Sequence, residues 1–203
     1  MLTGATVERW EIELLGRYFA GDALAVIVGH GRAVAGLALS VCRLLGLAEE
    51  ECRFVDEAAL LHDIGVCRIQ APKLGLEGGL PYIMHGIIGR EILEQEGLPR
   101  HALVCERHIG VGLTAEDIIR QGLPLPRRDM TPVSLPERII CFADLFYSKS
   151  PGKITHQKSP DKVRGKLAGF GEDKARIFDR WLELFGAALD QPPHCDASAR
   201  GTN

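Results

Sequence analysis

Seven histidines punctuate this chain of 203 residues, and five of them, His30, His62, His85, His101 and His108, stand where an apolar helical pattern does not call for one. The other two, His156 and His194, lie in polar segments. His62 is followed at once by Asp63, at the end of the apolar run Leu60-Leu61-His62-Asp63-Ile64-Gly65. A carboxylate is badly placed at a helix C-terminus, where the macrodipole is already negative, unless a cation sits nearby. A metal ion would be such a cation; the plainer alternative is a solvated Asp after a core His that donates to a carbonyl. His30 leads an inward stripe through Val34, Leu37 and Val41, His85 leads Ile88 and Ile92, and His108 closes Leu103-Val104. Asp144 sits four residues past Ile140 and three past Cys141, on an apolar face. A lone carboxylate buried there would cost several kcal/mol or be forced neutral. Four such histidines and two such aspartates are accounted for together as metal ligands. Nitrogen and oxygen donors without cysteine suit Mn, Fe, Co, Ni, Zn or Mg rather than copper(I) or an iron–sulfur cluster.

Helical periodicity positions these residues almost throughout. It predicts helices over 7–20, 30–45, 49–64, 81–96, 99–109, 134–148 and 171–189, a brief one from Thr114 to Gln121, and another starting at Ser159-Pro160. Thr114-Ala-Glu-Asp117 and Ser134-Leu-Pro-Glu137 are capping boxes, the second with Pro just inside the helix. The stretch from 66 to 81 is irregular, 122–132 is a Pro-rich loop, and 190–203 is a polar, frayed tail. Period-2 strands and internal repeats are absent from the pattern. The expected fold is all-α, a single-domain helical bundle. Residues 1–25 would be an N-terminal helix packed on the core, 26–150 the main body, and 151–189 further helices of the same domain.

Hydrophobic residues are 46% and charged residues 25%, enough for a real core and too ordered for a disordered chain. Net charge is −3, which argues against a protein that coats nucleic acid over an extended surface. Six cysteines lie far apart with no CxxC pair, so neither a disulfide framework nor a zinc ribbon is expected and a reducing cytoplasm fits. Glu8, Arg9, Glu11 and Glu13 make the N-terminus unlike a signal peptide. The apolar run from 23 to 41 is interrupted by His30 and Arg32, so no membrane span is expected.

The order His30, His62-Asp63, His85, His108, Asp144 resembles the HD-domain superfamily of metal-dependent phosphohydrolases, and Leu61-His-Asp-Ile-Gly65 resembles its HDIG variety. The resemblance covers about residues 26–149, with supporting pieces at 85–93, 106–110 and Ala143-Asp144. It implies that His30, His62, Asp63 and Asp144 hold one metal. It also implies that Asp63 bridges to a second, held further by His85 and His108. Two divalent ions would clamp a phosphate and lower the pKa of a water, with Asp63 the residue tied to that activation. Val66 stands where many relatives carry Lys; Arg68 and Lys73 are candidate replacements for a phosphate contact. Lys149 could contact phosphate or be a solvated lysine, and Arg90, Arg107, Arg127 and Arg128 share that ambiguity. His101 is expected at the surface or an interface, or else beside the ligands. Arg107-His108-Ile-Gly-Val-Gly departs from the Gly-Tyr-Pro of cyclic-dinucleotide phosphodiesterases. The resemblance therefore implies hydrolysis of a nucleotide or another small phosphorylated metabolite, in the cytoplasm, with no membrane partner and a homodimer left open. Alternatives are an HD-type di-iron oxygenase with the same ligand order, and a metal-binding regulatory module without catalysis.

Overall fold

Nine α-helices and one two-stranded hairpin make up residues 9–150 and 152–190, which are the residues described by this computed structural model. Helix α1 (Trp10–Gly16) buries Leu14 and Leu15, and Arg9 just before it pairs with Asp56 at 2.8 Å. Tyr18 donates to Glu96 at 2.8 Å, so the opening helix is fastened to its own core. Helix α2 (Gly21–Leu44) buries Ile27, His30, Val34, Leu37 and Val41 along one stripe. By length and composition α2 could cross a membrane, but most of its apolar window is buried inside this fold. Helix α3 (Glu49–Leu61) opens on Glu49, Glu50 and Glu51, acids that suit a helix N-terminus, and packs on α2.

A 3₁₀ turn (Ile64–Arg68) follows, then an antiparallel hairpin of β1 (Gln70–Ala71) and β2 (Leu76–Glu77). Helix α4 (His85–Gln95) lies against α5 (Pro99–Arg107) and against the 3₁₀ turn. The short α6 (Ala115–Arg120) has the expected capping box from Thr114 and Asp117. Helix α7 (Leu135–Leu145) is capped by Ser134, and α8 (Pro160–Ala168) by Ser159. The last helix, α9 (Glu172–Phe185), packs on α8.

The core has two main parts. One gathers the later half of α2 with α3, α7, α8 and α9 around Phe142, Phe146 and Phe178; the other joins α1, the early half of α2, α4 and α5. His30 on α2 and His62 after α3 fall at the seam between them, where neither apolar cluster claims the space.

Three expectations need correction. Helix α2 starts nine residues before His30, which therefore sits mid-helix. Gly29 and Gly31 each cost about 1 kcal/mol of helix propensity, and the burial of the stripe overrides that. Helix α3 ends at Leu61, and Gly65 is inside the following turn rather than a stop signal. The 66–81 stretch contains a hairpin whose strands of two residues are too short to show any alternation. The expected opening helix falls outside the described residues at 7 and 8, as does the expected frayed tail from 191 onward.

Candidate metal centre

Three histidines are placed by one local device. His62 and His108 are the residues closing α3 and α5, and His85 closes a 3₁₀ turn (Tyr82–Met84) as α4 begins. In each, Nδ1 faces the carbonyl three residues back: Ala59 at 2.6 Å, Tyr82 at 2.7 Å and Cys105 at 2.8 Å. A carbonyl only accepts, so each Nδ1–H donates, and each ring turns its Nε2 to the interior, with a free lone pair wherever the ring is neutral. For His62 and His108 the carbonyl lies in the last turn of a helix, where the ladder runs out of donors, while the Tyr82 carbonyl also accepts the His85 backbone N–H. This is how imidazole ligands are commonly oriented.

The Nε2 atoms converge on Asp63. Its Oδ2 lies 3.1 Å from His62 and 3.4 Å from His30, while its Oδ1 lies 3.6 Å from both His85 and His108. Asp144 Oδ1 completes the first group, 2.9 Å from His30 and 3.6 Å from His62. One carboxylate thus turns one oxygen to each of two imidazole pairs. His30, His62, Asp63, His85 and His108 are all buried, and Asp144 is half-buried. His30 Nε2, His62 Nε2 and both Asp63 oxygens make no well-aligned hydrogen bond despite these short separations. His85 and His108 bring their Nε2 atoms within 3.0 Å of each other. With both Nδ1 atoms donating, these are two facing lone pairs, an arrangement that needs a cation or a shared proton between them. His30, His62 and Asp144 form one group with ligand atoms close enough to hold an ion, and His62, Asp63 and His108 another. The donor set fits divalent metal.

Electrostatics agree with that fit. Burial holds the pKa of His85 and His30 down and lowers His108 to about 3, so these rings stay neutral. Burial also pulls on His62, but the close carboxylates of Asp63 and Asp144 outweigh it and raise His62 to about 10. Burial pushes Asp63 and Asp144 up, yet the neighbouring cations win and both are held well below the carboxylate range. For Asp63 those cations are led by His62 and Lys149, and for Asp144 Lys149 leads. Two ionised carboxylates therefore draw their balancing charge from His62 and Lys149, a role divalent ions could take.

Lys149 is the candidate that changes most: its Nζ lies 2.8 Å from Asp63 Oδ2 and 6.0 Å from the centroid of the Tyr82 ring, so it is not a solvated lysine. Burial works against its charge, but Asp63 and Asp144 raise its pKa above the usual lysine value. It lines a cavity of about 950 Å³ together with His85, His108 and Asp144. Ala71, Pro72 and Leu74 form part of the wall, so the 66–81 stretch does shape the pocket, and Leu123 adds one contact from the Pro-rich loop.

Other candidates fall elsewhere. Arg68 is exposed and is not among the cavity-lining residues; its turn points it outward. The Lys73 side chain lies outside the described residues. Arg107 pairs with Glu137 at 3.1 Å, and Arg90 and Arg128 both pair with the buried Glu106, so these charges hold elements together. Arg127 is exposed. His101 is a core residue between Trp10 and Phe54, 3.3 Å from Glu57, because α1 covers the face expected to be surface. Tyr82 escaped notice in the sequence, although it stands three residues before His85, the spacing at which His62 and His108 also find their carbonyls.

A helical fold built around a buried His/Asp cluster defines a class, and residues 27–148 match the HD domain family; the chain belongs to it. It is 30% identical over 182 residues to a tRNA (cytidine(56)-2'-O)-methyltransferase of Thermoplasma volcanium, which covers 89% of this chain and 48% of that one. It is 40% identical over 97 residues to an uncharacterized protein of Methanocaldococcus jannaschii, covering 47% of this chain and 50% of the other. The chain thus spans about half the length of these curated relatives. Among solved structures, the HD domain of the Listeria monocytogenes phosphodiesterase PgpH superposes with a TM-score of 0.53 over 90% of this chain and 98% of that one. At 13% identity the likeness is one of fold.

Proposed function

We propose that this protein is a metal-dependent phosphohydrolase acting on a nucleotide or another small phosphorylated metabolite. The observation that carries the proposal is Asp63, whose two oxygens face two separate imidazole pairs, and whose neighbours His85, His108, Asp144 and Lys149 line a cavity. In this reading His30, His62, Asp63 and Asp144 hold one divalent ion, and His85 and His108 hold a second with Asp63 shared. Such ions supply a water acidic enough to act near neutral pH and neutralise charge on the phosphoryl oxygens. The chain's own groups do the rest. The Ala59, Tyr82 and Cys105 carbonyls fix the imidazole orientations. Lys149 sets a positive charge beside Asp63 in the cavity lining, suited to a phosphoryl oxygen. The apolar walls limit competing water.

An oxygenase would use the same ligand set. The cationic lining of the cavity, with Lys149, Lys158, Lys162, Lys166 and Lys174, favours a phosphorylated substrate instead. The methyltransferase names belong to chains about twice or more the length matched here, and methyl transfer is not carried over to this one. Phosphate release from a nucleotide panel, with the manganese-loaded protein, tests the proposal. Release by the wild type and its loss in Asp63→Ala are expected; no release from any phosphorylated compound would refute it.

A further inference from the structure

The cavity is lined unevenly. Among the described residues Asp144 is its one carboxylate lining residue, while five lysines line it, in a chain whose net charge is −3. Three of the five are engaged. Lys149 meets Asp63, Lys174 meets the buried Asp117, and Lys158 donates to the carbonyls of Leu145 and Tyr147. Lys162 and Lys166 differ: both are exposed, and among the described residues neither forms an ion pair. They sit four residues apart on α8, about 6 Å along its axis, so they share a helix face. Like charges so spaced cost a helix roughly 0.2–0.5 kcal/mol. On the same helix Arg164 is paired, with Asp179 at 3.0 Å and Glu172 at 2.8 Å. Charge on α8 is therefore neutralised away from the cavity and left unneutralised towards it.

The position of α8 follows from the chain. The Lys158 backbone N–H donates to the Phe146 carbonyl at 2.9 Å, which ties the start of α8 to the end of α7, next to Asp144. From there the helix runs along the cavity wall, with Val163 and Leu167 lining it between the lysines. Val111, Leu113 and Leu123 line the same cavity, as does Phe170 beyond α8, which is 54% exposed. The cavity lining thus combines imidazoles and a carboxylate suited to metal, apolar side chains with an exposed aromatic residue, and the unpaired lysines of α8. Its volume, about 950 Å³, is at the upper end of small-molecule pockets.

We propose that Lys162 and Lys166 form a second anion subsite, and that the substrate is a nucleotide carrying a phosphate group remote from the one presented to Asp63 and Asp144. The apolar side chains and Phe170 then take the base, since aromatic faces stack on any base. The proposal rests on the phosphohydrolase reading for the first phosphate and on α8 for the second.

Calorimetric binding to the full, manganese-loaded chain separates the two. The probes are adenosine 3',5'-bisphosphate and adenosine 5'-monophosphate, with phosphate release followed in parallel. The bisphosphate is expected to bind about tenfold or more tighter, the scale of one or two charged hydrogen bonds. K162Q/K166Q should lose about that tenfold for the bisphosphate and less than about twofold for the monophosphate. K153Q, an exposed lysine away from the cavity, should change neither. Equal weakening of both ligands by the double variant, or of neither, overturns the subsite. Lysine-dependent binding without phosphate release from any nucleotide leaves the subsite standing and removes the hydrolase reading. Release from the monophosphate with no lysine effect does the reverse. A 5'-phosphorylated RNA oligomer that outcompetes the bisphosphate through the same lysines overturns the small-nucleotide assignment.

Discussion

Gly65 packs the turn after His62-Asp63 directly onto the start of α4. A Cβ added there would lie 2.0 Å from the His85 carbonyl oxygen and 2.4 Å from the Gly89 backbone nitrogen. Both are backbone atoms, so no side chain can swing aside, and relief needs α4 to move by more than about 1 Å to reach normal contact. Such overpacking typically costs about 1–3 kcal/mol, and a backbone clash belongs at the upper end. For a chain of this size that is a fall in Tm of roughly 6–12 °C. The displaced residue would be His85, which stands 3.6 Å from Asp63 Oδ1. Gly65→Ala should therefore lose metal from the His85–His108 side before it loses the other ion. The control is Gly36→Ala on α2, where an added Cβ meets nothing within 4 Å. It should raise stability by about 0.5–1 kcal/mol through helix propensity alone. Thermal melts with metal analysis of both variants decide the matter. A Gly65→Ala protein that melts with the wild type and keeps its full metal content would refute the packing account.

His108→Ala should keep the fold and lose the second ion preferentially, seen by metal analysis beside circular dichroism; unfolding with metal retained would make His108 a packing residue only. Lys149→Met should leave metal content unchanged and lower kcat/KM at least about tenfold, as expected for a lost charged contact to phosphate; unchanged kcat/KM would remove that role. Asp117 is buried, accepts from Thr114 N–H and Oγ1 at 2.9 Å each, and pairs with Lys174 on α9. Asp117→Asn should destabilise by about 3 kcal/mol, because it leaves the buried Lys174 ammonium only the looser 3.6 Å contact with Asp173. Burial pushes the Asp117 carboxyl up, but Lys174 and Thr114 outweigh it and hold it below its ordinary value. Its contribution is thus full above about pH 4 and is lost as pH falls through the lower folded value, so acid melts of wild type and variant should converge.

The clustering of these histidines and aspartates was legible because its members violate local rules. Asp63 at a helix end and Asp144 on an apolar face are unfavourable without a partner, and His30, His85 and His108 stand at the ends of apolar stripes. The fold class was legible from 3.6-residue periodicity and from the caps at Thr114, Ser134 and Ser159. The misses share one physical cause, the dominance of tertiary burial over local propensity. Helix α2 begins well before residue 30 and runs through Gly29 and Gly31, because the stripe on either side of them is buried. His101 is inside because α1 covers it, a long-range contact without local trace. Lys149 could not be placed, since its pairing with Asp63 joins residues 86 positions apart in sequence. Gly65 announces a turn in sequence, but its close approach to His85 emerges only when α4 is docked.

Metal content per chain is the most direct measurement, made on protein purified without oxygen and without a metal-affinity column, then repeated after adding manganese. The account predicts about two ions per chain in the wild type and depletion of both in Asp63→Ala, because one carboxylate serves both sites. One ion in the wild type, or full occupancy in Asp63→Ala, would contradict the shared role of Asp63. No ion even with manganese would contradict the metal centre itself.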